Sequence, residues 1–335
     1  MTSRTIEHSV VDPEDVGARA DVVLGRRLPG LSRRVARQMA LAGKLEIDGE
    51  RAPPSARVAL GQRLALRVEP TPSPSPGAPE LRVLASTPAI VYVDKPVGVA
   101  VHRLRPDEPP ALADLVAARF PELRDVGDDP RELGALHRLD RPTSGVVAFA
   151  RTAEAWAAGR EGFARGEVRK HYAAVGREAR GDLAGAEAWL AAPKPIGDAP
   201  LPSALADELR RLHVAAQELP MAIVRAPLGR GDQRDKVVVR GDGLAATTDL
   251  QVLLDAGARR LLLLRLRSGR RHQARVHLAA AGWPIVGDRR YGGEPGPRLL
   301  LHAWSLDLSP AIAGERPIVA PLPPEFAASL AAAPR

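Results

Sequence analysis

The stretch that decides the rest of the chain is His137-Arg138-Leu139-Asp140-Arg141-Pro142-Thr143-Ser144-Gly145. Its second half is rich in turn-forming residues, and the apolar run from Val146 to Ala150 that follows at once predicts a strand. Asp140 is therefore expected on a loop that enters a strand, where a scaffold fixes it and a ligand can reach it. Read alone, the stretch also fits a surface carboxylate that pairs with the neighbouring arginines.

The composition is that of a basic protein, and this favours an anionic partner. The 335 residues can form one large domain and one small domain, and 48 Lys and Arg against 40 Asp and Glu give a net charge of +8. Nucleic acid is the first candidate partner and an acidic membrane surface the second. The chain has no Cys, which excludes disulfides and Cys-based zinc sites. We find no signal-peptide pattern and no apolar run long enough to span a bilayer, so a soluble, cytoplasmic protein is expected.

The first 69 residues are predicted to form a small module. Helical spacing over 20–28 is followed by Ser32, an N-cap for a second helix that ends at Gly43, with Arg33, Arg34 and Arg37 on one side of it. Residues 44–49 predict a strand that runs into a tight turn, and residues 63–69 predict a closing strand. A Pro-rich linker covers residues 70–84, and its first ten residues, which contain five prolines, could hold two domains up to ~30 Å apart.

Residues 85–335 are predicted to form the main domain. Strands are expected near residues 89–93, 145–150, 168–175, 236–240, 250–254, 261–266 and 298–306, and helices over 111–120, 152–163 and 268–278. Because strands outnumber helices and do not alternate strictly with them, the pattern indicates an α+β fold on a mixed, largely antiparallel sheet with flanking helices. Residues 181–223 are interpreted as an insertion without an assigned function.

Several chemistries find no support in the sequence. There is no P-loop, no dinucleotide fingerprint and no Gly-x-Ser-x-Gly elbow. A metal site among the histidines is not expected, because His272 and His277 are five residues apart, which does not place both on one helical face, and no acidic or Cys ligands lie beside them in the sequence.

Three strings resemble the motifs of the RluA-type pseudouridine synthases: HRLDRPTSG at 137–145, the Asp94-Lys95-Pro96-Val97-Gly98 segment, and GRRHQARVHLAAAGWPIVGDRRYGG at 269–293. The resemblance implies that Asp140 is the essential carboxylate, that Arg275 pairs with it and that Tyr172 stacks on the target uracil. It also implies that Arg138 occupies the space of the extruded base. Ala274 stands where the family usually has Ile or Leu, which affects local packing more than chemistry. Substrate contacts are further expected from His137 and Lys95, and phosphate contacts from Lys95, Arg270, Arg271 and Arg289.

The N-terminal module resembles the S4 RNA-binding domain, which implies that Arg33, Arg34 and Arg37 contact phosphates. An S4 module beside this catalytic domain implies large-subunit ribosomal RNA as the substrate, with tRNA as the first alternative. A non-catalytic RNA-binding or ribosome-assembly factor is the second. The reaction needs no metal and no cofactor, and nothing in the sequence demands more than a monomer. Whether Asp140 attacks C1′ or removes a ribose proton stays open at this stage.

Overall fold

The computed structural model describes residues 4–27, 36–37, 40–41, 43–68, 80–103, 108–129, 131–179, 222–233 and 236–332. The chain forms two compact units. The first comprises Met1–Glu80, Val101–Ala135 and Arg151–Ala153, and the second comprises Leu81–Ala100, Leu136–Ala150 and Glu154–Arg335. The domain boundaries given by the sequence stay predictions.

The first unit contains a small antiparallel sheet. Its strands lie in the order β1-β4-β2-β3, and their bounds are β1 Arg4–Val10, β2 Leu45–Ile47, β3 Glu50–Arg51 and β4 Arg63–Val68. Helix α1, Ala20–Arg27, buries Val23 and Leu24 in a core with Leu45 and Leu64. The predicted tight turn is confirmed, because Asp48 and Gly49 both have positive φ, at 53° and 88°, as a two-residue hairpin turn requires. Helix α2, Leu112–Arg119, also belongs to this unit.

The second unit is built on a mixed sheet. Its strands follow the order β5-β6-β7-β14-β8-β13-β12-β9, and β15 pairs with β14 at the side. The strand bounds are β5 Arg82–Ser86, β6 Ile90–Lys95, β7 Ser144–Ala150, β8 Arg169–Arg177, β9 Ala222–Arg225, β12 Thr247–Ala256, β13 Arg259–Leu266, β14 Leu301–Asp307 and β15 Ile318–Val319. A separate hairpin joins β10, Leu228–Arg230, to β11, Val237–Val239. The helices of this unit are α3 Ala153–Arg165, α4 Gln273–Ala280 and α5 Pro324–Ala331.

Strands β7 and β14 form the parallel pair of this sheet, and the other described pairings are antiparallel. All seven residues of each of these two strands are buried, which explains the unbroken apolar run after the Asp140 loop. Gly145 stands where they meet: its φ is 119°, and a Cβ there would lie 2.2 Å from the Ala303 carbonyl oxygen. The predicted α+β class with a mixed, largely antiparallel sheet is therefore confirmed.

Several elements differ from the sequence prediction. Strand β5 begins at Arg82, inside the predicted linker, because its backbone pairs with β6. Strand β8 extends to Arg177, beyond the predicted end at residue 175, because Gly176 pairs with Arg260. Helix α4 begins at Gln273 and not at 268, because His272 has a left-handed backbone. Strand β1 and helix α5 were not predicted. Most of the second helix of the N-terminal module, residues 70–79 of the linker and residues 181–221 of the insertion lie outside the described residues.

Candidate active site

The loop that carries Asp140 is fixed at its backbone. The Asp140 carbonyl accepts the amide of Thr143 at 3.0 Å, which closes the turn. The next carbonyl, that of Arg141, accepts the Gly98 amide at 2.9 Å and the Lys95 ammonium at 3.2 Å. The Asp140 side chain keeps 27% of its surface exposed. The expected arrangement, a carboxylate on a fixed loop that a ligand can reach, is present.

Lys95 does not occupy the position that a phosphate contact requires. Its side chain is fully buried, and its ammonium donates to the carbonyls of Pro96, Val99 and Arg141 at 3.0, 2.7 and 3.2 Å. Burial, and after it the charge of Arg298, lower the pKa of Lys95 to about 7. When it is charged, the Lys95 ammonium directs its three N–H groups to these three carbonyls and has no donor left for RNA, so Lys95 ties the segment after β6 to the Asp140 loop.

A second group of buried contacts fixes the start of β7 just beyond the loop. The Ser144 hydroxyl accepts from Arg298 at 2.5 Å and lies 2.8 Å from Nδ1 of His302. Burial, and after it the charge of Arg298, lower the pKa of His302 to about 3. His302 is therefore a neutral, structural side chain next to the Asp140 loop at physiological pH.

Sheet register brings Tyr172 to the same place. Ala303 of β14 pairs on one side with Gly145 and on the other with Tyr172 of β8, so the strand that follows the Asp140 loop and the strand of Tyr172 flank one residue. The Tyr172 ring is half-buried against the core. Burial and the charge of Asp140 raise the pKa of the Tyr172 phenol, which keeps it protonated. These two predicted residues therefore share one site.

Arg275 lies on the first turn of α4 and contacts two carboxylates. Its guanidinium Nη1 is 3.5 Å from Oδ2 of Asp140, while Nε and Nη2 donate to both oxygens of Asp288 at 2.7 Å each. Burial opposes its charge, but the hydrogen bonds and charge of Asp288, with that of Asp140, outweigh burial and raise the pKa of Arg275. The shorter and bidentate pair is with Asp288, a side chain with no exposed surface. Asp288 thus holds Arg275 in place beside Asp140.

His272 and Tyr291 complete the surroundings of Asp140. Nε2 of His272 is 3.8 Å from Oδ2 of Asp140, and Nδ1 is 2.7 Å from the Tyr291 hydroxyl. The Arg275 guanidinium also lies over the Tyr291 ring, with its central carbon 5.0 Å from the centre of the ring. Both Asp140 contacts use Oδ2, and no hydrogen bond or ion pair with the described residues engages Oδ1. The carboxylate is therefore held by one oxygen and open at the other.

Sequence reasoning missed Asp288, His272 and Tyr291 as parts of the site, although all three lie within the string at 269–293. A buried carboxylate cannot be told from an exposed one by its neighbours in the chain. The signal that was available is the pairing requirement: a buried arginine needs an acidic partner, and Asp288 lies in the same string as Arg275.

The other residues predicted to contact RNA differ in their exposure. Arg138, Arg141, Arg270, Arg271 and Arg289 are exposed. His137 is half-buried; its Nε2 accepts the Ala148 amide at 3.1 Å, and its ring lies 5.0 Å from that of Phe163, so it supports the loop from within the fold. Arg37 is exposed, while Arg33 and Arg34 lie outside the described residues.

The described residues lack two kinds of feature. None of their helices is long and apolar enough to cross a bilayer. No group of three or more His, Asp or Glu side chains among them is arranged to hold a metal ion.

Comparison with known families identifies the class of enzyme. Residues 89–280 match the family described as RNA pseudouridylate synthase, and residues 18–64 match the S4 domain. The chain belongs to the RNA pseudouridylate synthases, which are isomerases that act on RNA. The predicted family and the predicted S4 module are both confirmed.

Similar proteins carry names of the same kind. The chain is 30% identical over 292 residues to ribosomal large subunit pseudouridine synthase D of Xanthomonas campestris, a match that covers 86% of this chain and 76% of that protein. It is 31% identical over 324 residues to an uncharacterized RNA pseudouridine synthase of Mycobacterium bovis, with 92% of each chain covered. The structure of human RNA pseudouridylate synthase domain containing 4 superimposes with a TM-score of 0.50 at 21% identity. It covers 75% of this chain and 92% of its own, and supports the fold alone.

Proposed function

We propose that the chain isomerises uridines of large-subunit ribosomal RNA, with Asp140 as the carboxylate that acts at the ribose and Tyr172 as the surface that holds the base. The observation that carries this proposal is the state of Asp140. It is 27% exposed and anchored through Oδ2 beside the buried Arg275, and none of the described residues forms a hydrogen bond or ion pair with Oδ1. The name of the Xanthomonas relative, which specifies the large ribosomal subunit, supports this choice of RNA.

The chemistry needs little more than these groups. The bond between N1 of uracil and C1′ of ribose breaks, the base turns while bound, and C5 bonds to C1′. The hydrogen on C5 leaves as a proton and N1 takes one up, so no oxidant, reductant or net water is consumed. Asp140 either attacks C1′ or removes a ribose proton, and in both routes an ionised carboxylate stabilises the positive charge that develops at the anomeric carbon.

The target uridine must leave its stack before it can reach Asp140. Flipping costs a few kcal/mol, on the order of one unstacked pair. Arg138, which is exposed and lies two residues before Asp140, is proposed to fill the space of the extruded base, as the family resemblance implies. The ring of Tyr172 supplies a flat surface for the detached uracil, which must be held while it rotates.

Tritium release from RNA that carries [5-³H]uridine tests the proposal directly, because isomerisation expels the C5 hydrogen. Wild-type protein should release tritium from ribosomal RNA faster than from tRNA, and Asp140→Asn should release none while it keeps its RNA affinity. Faster release from tRNA would replace the ribosomal substrate with tRNA. Release by Asp140→Asn at the wild-type rate would remove Asp140 from the mechanism.

The N-terminal module is proposed to bind phosphates through Arg33, Arg34 and Arg37. Replacing all three by Ala should lower the slope of log affinity against log salt by about 2–3, since each phosphate contact contributes roughly 0.7–0.9. An unchanged slope would remove these residues from the RNA interface. The cytoplasmic location and the monomeric state also stay predictions.

A further inference from the structure

The backbone at His272 is unusual. It has φ 55° and ψ 17°, the left-handed region, at the position immediately before α4. A histidine there is strained, and such strain persists where the surroundings hold it and clusters at functional sites. The conformation ends the preceding loop and turns the imidazole toward the Asp140 carboxylate, with 8% of its side chain exposed.

Hydrogen bonding sets the orientation of this imidazole. The Val237 amide donates to the Tyr291 hydroxyl at 3.2 Å, and the same hydroxyl lies 2.7 Å from Nδ1 of His272. Because the Asp140 carboxylate at the other ring nitrogen can only accept, Nδ1 is the nitrogen that accepts a hydrogen bond, from the Tyr291 phenol. The neutral ring then carries its own proton on Nε2, which faces Oδ2 of Asp140 at 3.8 Å. Burial and the charges of Arg275, Arg271 and Arg290 lower the pKa of His272, against the opposing effect of Asp140.

We propose that His272, oriented by Tyr291, is a positioning residue for Asp140. Its Nε2–H and the Arg275 guanidinium both face Oδ2, which fixes the plane of the carboxylate and leaves Oδ1 as the oxygen that reacts at the ribose. The 3.8 Å separation closes to hydrogen-bond length when substrate displaces water from the site, as catalytic contacts commonly do. This inference rests on the proposed role of Asp140.

The test measures single-turnover tritium release at saturating protein, RNA affinity and melting temperature. The variants are His272→Asn, Tyr291→Phe, their double variant and Asp140→Asn. Asparagine tolerates the left-handed backbone but is too short to reach Asp140 and Tyr291 together. His272→Asn should slow the single turnover roughly 10- to 100-fold, as a misplaced reacting group does, with RNA affinity within about threefold of wild type. Tyr291→Phe alone should slow the single turnover less than His272→Asn does. Combined with His272→Asn, it should lower the rate no further.

A matched control lies on α4, the helix that follows His272. His277 of α4 is fully buried, and its two ring nitrogens contact the Thr248 hydroxyl and the Ala226 carbonyl. His277→Gln should lower the melting temperature and leave the single-turnover rate within about twofold, because the change is confined to a contact that does not touch Asp140.

Three results would overturn the inference. The first is a His272→Asn rate within about twofold of wild type, a change too small for a misplaced reacting group. The second is an equal loss in His277→Gln, which would assign the effect to a disturbed helix. The third is a double variant whose loss of rate equals the product of the two single losses, which would mean that Tyr291 does not act through His272. If Asp140→Asn is inactive in any of these cases, the proposed function stands and the inference alone fails. If Asp140→Asn is active, the proposed function fails.

Discussion

The pair between Arg275 and Asp288 should be the most sensitive single contact of the site. Asp288→Asn keeps the shape of the side chain and removes its charge. The Asp288 side chain has no exposed surface and that of Arg275 has 8%, so water cannot replace the lost partner. Breaking a buried ion pair on one side leaves an uncompensated charge and costs about 3–5 kcal/mol. We expect the free energy of unfolding to fall by about that amount.

The same change should also slow the reaction. In the native site Asp288 accepts hydrogen bonds from Nε and Nη2 of Arg275. This leaves Nη1 facing Oδ2 of Asp140 at 3.5 Å. Without this bidentate anchor the guanidinium can rotate, and the carboxylate loses a fixed neighbour. A displacement of about 1 Å at a reacting group lowers rates by roughly 100-fold.

Urea unfolding followed by tryptophan fluorescence measures the first effect and tritium release the second. Asp242→Asn is the matched control, because Asp242 pairs with Arg240 at the surface and its loss should leave both readings unchanged. The double variant Arg275→Met with Asp288→Leu removes both charges. It should recover most of the stability, since apolar replacements of a buried pair are often neutral, while activity stays low. An Asp288→Asn protein within about 1 kcal/mol of wild type would refute the reasoning.

Three further predictions follow from buried groups near the loop. His302 has a pKa of about 3 in the folded chain against 6.5 in the unfolded one, so only the unfolded state takes up a proton as pH falls from 6.5 toward 3. Wild type should therefore lose about 2 kcal/mol between pH 7 and 5 by urea unfolding, and His302→Gln should lose less. Gly145→Ala should destabilise the fold by more than about 3 kcal/mol, because its Cβ would strike the Ala303 backbone; normal thermal unfolding would contradict this. Lys95→Met should lower the melting temperature while RNA affinity stays within about twofold, and a large loss of affinity would restore Lys95 as a phosphate contact.

Local pattern carried the sequence prediction where it succeeded. The run after Asp140 predicted β7 because a strand buried on both faces usually has a nearly continuous run of apolar residues. The Asp48-Gly49 turn was predicted because few residues accept positive φ. Strand β1 escaped prediction because what defines it is backbone pairing with β4, some sixty residues away, and not an apolar pattern.

The candidate site also divides into features that the local sequence determines and features that depend on distant contacts. The sequence by itself determined which residue types stand in the Asp140 loop, in the Tyr172 strand and on α4, and the family resemblance that they carry. Only the tertiary structure decided which partner each side chain has. It turned Lys95 inward onto three carbonyls, joined Arg275 to Asp288, and placed His272 between Asp140 and Tyr291. The physical reason is that burial and ion pairing depend on groups far apart in the chain, and spacing along the sequence records neither.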